Sequence, residues 1–124
     1  MEKPTAKPVR WVSSSLEDLK GFPKQVQKAV GTALYLAQTG GKAADAKPLT
    51  GIVKGAGVLE IVEDFEGDTY RAVYTVKLAG AIYVLHAFQK KSKHGIATPK
   101  HEIDLIKARY EEAKKIHAEL GRKK

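Results

Sequence analysis

The 124-residue chain contains no cysteine, one tryptophan and one methionine. Without cysteine there is no disulfide framework, no thiol nucleophile and no thiolate metal site. No apolar run approaches the roughly 20 residues that a membrane-spanning helix needs. The polar start, Met1 to Pro8, lacks the apolar stretch of a secretory signal, so a cytoplasmic protein with no membrane contact is expected. Acidic residues are in deficit, with 14 Asp and Glu against 22 Lys and Arg, for a formal charge of +8. What is present is a 43% hydrophobic content, enough for one core, in a length that suits one domain.

The charge is unevenly spread. Residues 1–54 carry +5, residues 55–85 carry −3 and residues 86–124 carry +6. Basic flanks around an acidic centre are not a single charged tail. Clustered cations suit a polyanion such as RNA or DNA, which binds with release of counterions. The same excess also serves solubility, or is neutralised by an acidic protein partner.

Residues 1–8, with Pro4 and Pro8, read as a flexible lead-in to a single domain over 9–124. Val9 to Val12 is a short strand candidate. Ser14 followed by Glu17 has capping-box spacing and predicts a short helix that stops at Gly21. Pro23 suits the first turn of a second helix. Phe22, Val26, Ala29, Val30, Ala33, Leu34 and Ala37 then form a helical stripe that ends at Gly40-Gly41. Residues 42–56 read as a polar loop. Strands are predicted over 58–63, 69–77 and 81–89, with short turns at Phe65–Asp68 and Ala79-Gly80. Alternation puts Tyr70, Ala72, Tyr74 and Val76 on one face and Arg71, Val73 and Thr75 on the other. Thr98-Pro99 reads as an N-cap and first-turn pair. Ile103, Ile106, Tyr110, Ala113, Ile116 and Leu120 give a last helical stripe. The expected class is α+β: a small antiparallel sheet, made of the N-terminal strand and a three-stranded meander, packed on two N-terminal helices, with a long C-terminal helix. The second sheet face is expected to be partly open, and therefore a natural place for a site.

Arg71 is the most informative residue. Its planar donor fork matches a phosphate that gains charge in a transition state. The competing reading is an ordinary cross-strand pair with an acid such as Glu60. Lys90, Lys91 and Lys93, with His94, follow the last strand and suit phosphodiester binding and proton transfer; the competing reading is a solvated loop. Lys54, between glycines, belongs to the same class. His86 shares a predicted face with Val84 and Phe88 and reads as a hydrogen-bonded core histidine. His101 and His117 read as surface residues, and the four histidines show no metal-ligand spacing. Glu60, Glu63, Asp64, Glu66 and Asp68 surround a hairpin, with turn chemistry and solubility as their assigned roles. No metal or cofactor is expected.

Several segments together look familiar. They are Lys47-Pro48-Leu49-Thr50-Gly51, Gly57-Val58-Leu59-Glu60-Ile61, Tyr70-Arg71-Ala72-Val73-Tyr74, Ile82 to Ser92, and Thr98-Pro99 before a helix bearing Ala108-Arg109-Tyr110. In this order the chain resembles the RelE/ParE toxin superfamily over roughly residues 9–120, and within it the phage-derived, HigB-like toxins of type II toxin–antitoxin systems. The resemblance implies a RelE-like fold and a ribosome-dependent mRNA endoribonuclease, neutralised by a cognate antitoxin, often a helix-turn-helix protein. Its chemistry is attack of a ribose 2′-hydroxyl on the adjacent phosphate, without a metal. By the same resemblance Arg71, Lys90, Lys91 and His94 would be catalytic, and Lys54, Arg71, Lys90, Lys91 and Lys93 would hold RNA. The general base stays open among His94, Lys90 and Lys91, with His86 further from consideration. The functional tyrosine and arginine at the C-terminus of some RelE proteins are not transferred, because this chain ends in a long helix. ParE-type relatives share the fold and inhibit DNA gyrase, so a gyrase inhibitor or a non-catalytic basic binding module is the alternative.

Overall fold

A computed structural model describes residues 6–49, 51–52, 55–90 and 98–122. The elements run β1 (Val9–Trp11), α1 (Ser15–Lys20), α2 (Lys24–Gln38), β2 (Ala46–Pro48), β3 (Val58–Phe65), β4 (Asp68–Thr75), β5 (Ile82–Lys90) and α3 (Lys100–Arg122). The five strands form one sheet in the order β1-β5-β4-β3-β2. The class is α+β, with the meander β3-β4-β5 at its centre.

Local chemistry explains most boundaries. Glu66 and Gly67 both adopt positive φ, 50° and 85°, between the paired residues Phe65 and Asp68. Two left-handed residues make the tight hairpin turn whose twist matches the flanking strands. Helix α2 ends in a Schellman arrangement. Gly40 has φ of 92°, its N–H donates to Ala37, and the Gly41 N–H donates to Leu36 at 2.8 Å.

The backbone and its packing depart from the sequence reading in several places. The N-terminal strand joins the sheet parallel to β5, with Val9 opposite Ile82, so the sheet is only mostly antiparallel. Helix α1 follows β1 directly and packs against β5. Part of the predicted loop, Ala46–Pro48, is an edge strand antiparallel to β3, and an edge is where a proline can sit in a sheet. Ser14 makes no side-chain cap; its hydroxyl donates to the Asp18 carboxylate at 2.9 Å instead. Finally, the second sheet face is covered.

That cover creates two apolar layers. One face places Ile61, Tyr70, Ala72, Tyr74 and Val84 against Leu19 of α1, Phe22 of the link that follows it, and Val26, Val30 and Leu34 of α2. The other places Val58, Val73, Tyr83, Leu85 and Phe88 against Ile106, Tyr110 and Ala113 of α3. Helix α3 is amphipathic, and only a stripe facing the sheet is buried, as its spacing dictates. No helix of the described residues is long and apolar enough to cross a membrane.

Ile106 is fully buried under α3. Ile106→Ala should lower unfolding stability by about 2–5 kcal/mol, through lost burial and the cavity left behind. Urea denaturation followed by circular dichroism measures it. A change within error would mean that α3 does not dock on the sheet as described.

Candidate functional site

The α3-facing side of the meander carries an unusual set of polar groups for a covered surface. Register aligns them in rows. Glu60, Val73 and His86 lie across β3, β4 and β5; Val62, Arg71 and Phe88 form the next row; Asp64, Thr69 and Lys90 the third. Cross-strand and diagonal neighbours on one face are close enough to interact. Glu60, Arg71, His86 and Lys90 are all buried.

Arg71 donates to the Glu60 carboxylate at 2.9 Å, and both side chains are less than a tenth exposed. Arg71 also contacts the Thr98 hydroxyl at 3.3 Å, and that hydroxyl donates to the other Glu60 oxygen at 3.0 Å. Thr98 is therefore no helix cap. The Pro99 carbonyl takes the N–H groups of Glu102 and Ile103, which leaves the threonine side chain to close the Arg71–Glu60 pair. Of the two readings open for Arg71, the cross-strand pair with Glu60 is what the geometry displays. Glu60, grouped from sequence with the hairpin acids, is instead an integral part of the patch. Its place opposite Val73, on the same face as Arg71, was the available signal.

Lys90 closes the strand rather than following it. Burial, together with the nearby Arg71 charge, pulls its ammonium below the usual lysine range, while Glu60 acts in the opposite direction. Two cations and one carboxylate thus share a desolvated corner. Lys54, Lys91, Lys93 and His94 lie outside the described residues.

A second network lies beside the first. His86 Nε2 meets the Glu102 carboxylate at 2.7 Å, and its Nδ1 meets Arg109 Nη1 at 3.1 Å. Guanidinium only donates, so Nδ1 accepts, and the proton sits on Nε2, donated to Glu102. Arg109 also donates to the Leu85 carbonyl at 3.1 Å and to the Ser14 hydroxyl at 3.0 Å. A bulge makes this possible. Val73 pairs with His86 and Tyr74 with Val84, so Leu85 is an extra residue outside the ladder. The bulge also corrects the predicted faces: Val84 packs with α1 and α2, while His86 stacks on Phe88, ring centroids 4.9 Å apart, on the α3 side. Both nitrogens of His86 are engaged in holding α3, so it is a structural histidine. His101 is exposed, but His117 is not a plain surface residue, since its Nδ1 lies 3.1 Å from the Tyr83 hydroxyl. Among the described residues no group of three or more histidines and acids is placed to hold a metal ion.

Residues 17–111 match the family described as phage-derived protein Gp49-like (DUF891). The chain belongs to this family. The matched span takes in Glu60, Arg71, Lys90, Thr98, Glu102 and Arg109, so both networks lie inside the Gp49-like region. A search of curated protein sequences finds no significant match. Among solved structures, this Gp49-like protein is similar to the toxin–antitoxin complex RelBE2 of Mycobacterium tuberculosis. Identity is 19% over 74% of this chain and 100% of that chain, with a TM-score of 0.47. It is also similar to the E. coli toxin RelE in the free state, in a variant with two arginines replaced by alanine. There, identity is 15% over 66% of this chain and 81% of that chain, with a TM-score of 0.49.

The depressed Lys90 gives a pH signature. An unfolded lysine titrates near 10.4, so between the lower folded value and that pH the unfolded chain binds more protons. Stability relative to a Lys90→Met variant should therefore rise as pH climbs through that window. Paired urea titrations from neutral to alkaline pH test this, and parallel pH profiles for the two proteins would refute it. Glu60→Gln should push the Lys90 titration lower still, read from the Lys90 Cε carbon shift by NMR.

Proposed function

We propose that this Gp49-like protein is the toxin of a type II toxin–antitoxin system and acts as an mRNA endoribonuclease on the ribosome. The observation that carries the reading is the desolvated corner where Arg71, Lys90 and Glu60 lie together on one face of the sheet. Such a corner suits an incoming phosphodiester, because a guanidinium fork and an ammonium both match its non-bridging oxygens. The family resemblance of the sequence points the same way.

In this mechanism Arg71 faces the scissile phosphate and stabilises the charge that builds on its non-bridging oxygens. The ribose 2′-oxygen bonds to phosphorus as the 5′-oxygen leaves, giving a 2′,3′-cyclic phosphate and a 5′-hydroxyl end. Lys90, with its lowered proton affinity, is the described residue best suited to take the 2′-hydroxyl proton as a free amine. Lys91, Lys93, His94 and Lys54 remain the proposed flanking phosphate and proton-transfer groups. Glu60 and Thr98 hold the guanidinium in place, and phosphate competes with Glu60 for it. The reaction so written uses no metal or cofactor. A cognate antitoxin of helix-turn-helix type is the proposed partner, and the cytoplasm the proposed site of action.

The burial of the Arg71–Glu60 pair is what favours the second reading, a toxin or basic module that works by binding alone, gyrase included. It also dictates the choice of variants. Arg71→Ala would leave Glu60 buried and unpaired at a cost of about 3–5 kcal/mol, so loss of activity would be ambiguous. Arg71→Lys keeps the charge and removes the fork. Lys90→Met keeps the stem and removes the amine.

Induction of the unmodified protein should arrest growth and produce new mRNA 5′ ends within translated regions. Lys90→Met and Arg71→Lys, shown folded by circular dichroism, should each reduce cleavage by about 10²-fold or more. Growth arrest with intact transcripts would reject the nuclease and leave the binding reading. No growth arrest at all would reject the toxin.

A further inference from the structure

A cavity of about 270 Å³ opens where the start of β5 meets the last turns of α3, with Arg10, Gly80, Ala81, Tyr83, His117 and Leu120 among its walls. It lies at the other end of β5 from Lys90. Seven residues separate Tyr83 from Lys90, about 23 Å along a strand at roughly 3.3 Å per residue. It therefore shares no residue with the Arg71–Lys90 corner.

Three polar side chains meet here in a defined order. The Arg10 guanidinium lies against the Tyr83 hydroxyl, and its charge eases ionisation of a phenol that burial otherwise pushes up. Burial is the larger effect, so the hydroxyl keeps its proton. That proton goes to His117 Nδ1, 3.1 Å away, because a guanidinium only donates and cannot receive it. His117 in its neutral form then carries its own proton on Nε2. Nε2 has no hydrogen-bond partner among the described residues, and Arg10 has no carboxylate within ion-pairing distance among them. The cavity wall thus offers a guanidinium and an imidazole N–H, with no acid among the described residues that line it.

We propose that this cavity is a binding site for a phosphate group. Donors from two elements, Arg10 on β1 and His117 on α3, exceed what the two oxygens of a carboxylate need once a guanidinium fork has engaged them. A tetrahedral anion with more oxygens takes both. Ala81 and Leu120 give the cavity an apolar wall against which the organic part of a phosphate ester rests. Two sources carry this chemistry, a small phosphate ester and the backbone of a nucleic acid. The site is independent of the proposed nuclease centre, and its test does not use nuclease activity.

The full chain, labelled with nitrogen-15, should be titrated with inorganic phosphate and, separately, with a short single-stranded RNA. Phosphate should move the Gly80 and Ala81 amides in a saturable way and leave the Lys90 amide unmoved. Arg10→Gln should weaken that binding about tenfold, the loss of a charge-assisted contact. His117→Gln, which leaves the guanidinium in place, should weaken it by less. RNA moving the same amides, with the effect lost in Arg10→Gln, assigns the site to a nucleic-acid backbone. Phosphate alone moving them assigns it to a small ester. No saturable shift at Gly80 and Ala81, or shifts indifferent to both substitutions in folded protein, would overturn the proposal.

Discussion

A guanidinium buried in the middle of a sheet must be answered by an anion, and much of this structure follows from how Arg71 is answered. Glu60 supplies the charge from the neighbouring strand, and Thr98 completes the arrangement from the approach to α3. The pair constrains register. A slip of one residue between β3 and β4 would move Glu60 to the opposite face and strand both charges. It also constrains where α3 begins, because the Thr98 hydroxyl has to reach the carboxylate. The Arg109 contacts to Leu85, His86 and Ser14 then hold the next turns of the helix down. A covered polar layer of this kind is costly if left unpaired, so its contacts with Thr98, Glu102 and Arg109 favour one position for the helix.

The two faces of the meander consequently do different work. The face toward α1 and α2 is a conventional apolar layer built on Tyr70, Tyr74 and the α2 stripe. The face toward α3 mixes an apolar patch around Ile106 with ionisable groups that pair diagonally between strands and with α3. The bulge at Leu85 marks the junction between the two. It turns an extra carbonyl out of the ladder for Arg109 and rotates His86 onto the side where Glu102 waits. From there the polar rows run toward Lys90, which lies near both Arg71 and Glu60. The proposed phosphate chemistry belongs to that end of β5, because Arg71 and Lys90 lie close together there.

Much of this was legible in the sequence wherever the determinants are local. The α2 stripe, the glycines ending it, the hairpin at Glu66-Gly67 and the alternation through Tyr70 and Tyr74 all depend on residues a few positions apart. The face of Arg71 was legible for the same reason. Its partner was named but not decided, since Glu60 sits among hairpin acids that differ from it only in cross-strand position. Ser14 and Thr98 misled in a shared way. Each has the spacing of a capping residue, yet each hydroxyl found a stronger partner, Asp18 and Glu60 respectively.

The chain alone determined the class, the meander, the amphipathic helices and the basic excess, because periodicity and turn chemistry are short-range properties. Only the tertiary structure decided that β1 runs parallel to β5, that Ala46–Pro48 is a strand, that β5 bulges at Leu85 and that α3 closes the second face. Those outcomes rest on contacts between residues tens of positions apart, where the gain comes from burying a face or answering a charge. No local pattern encodes which distant surface will do so.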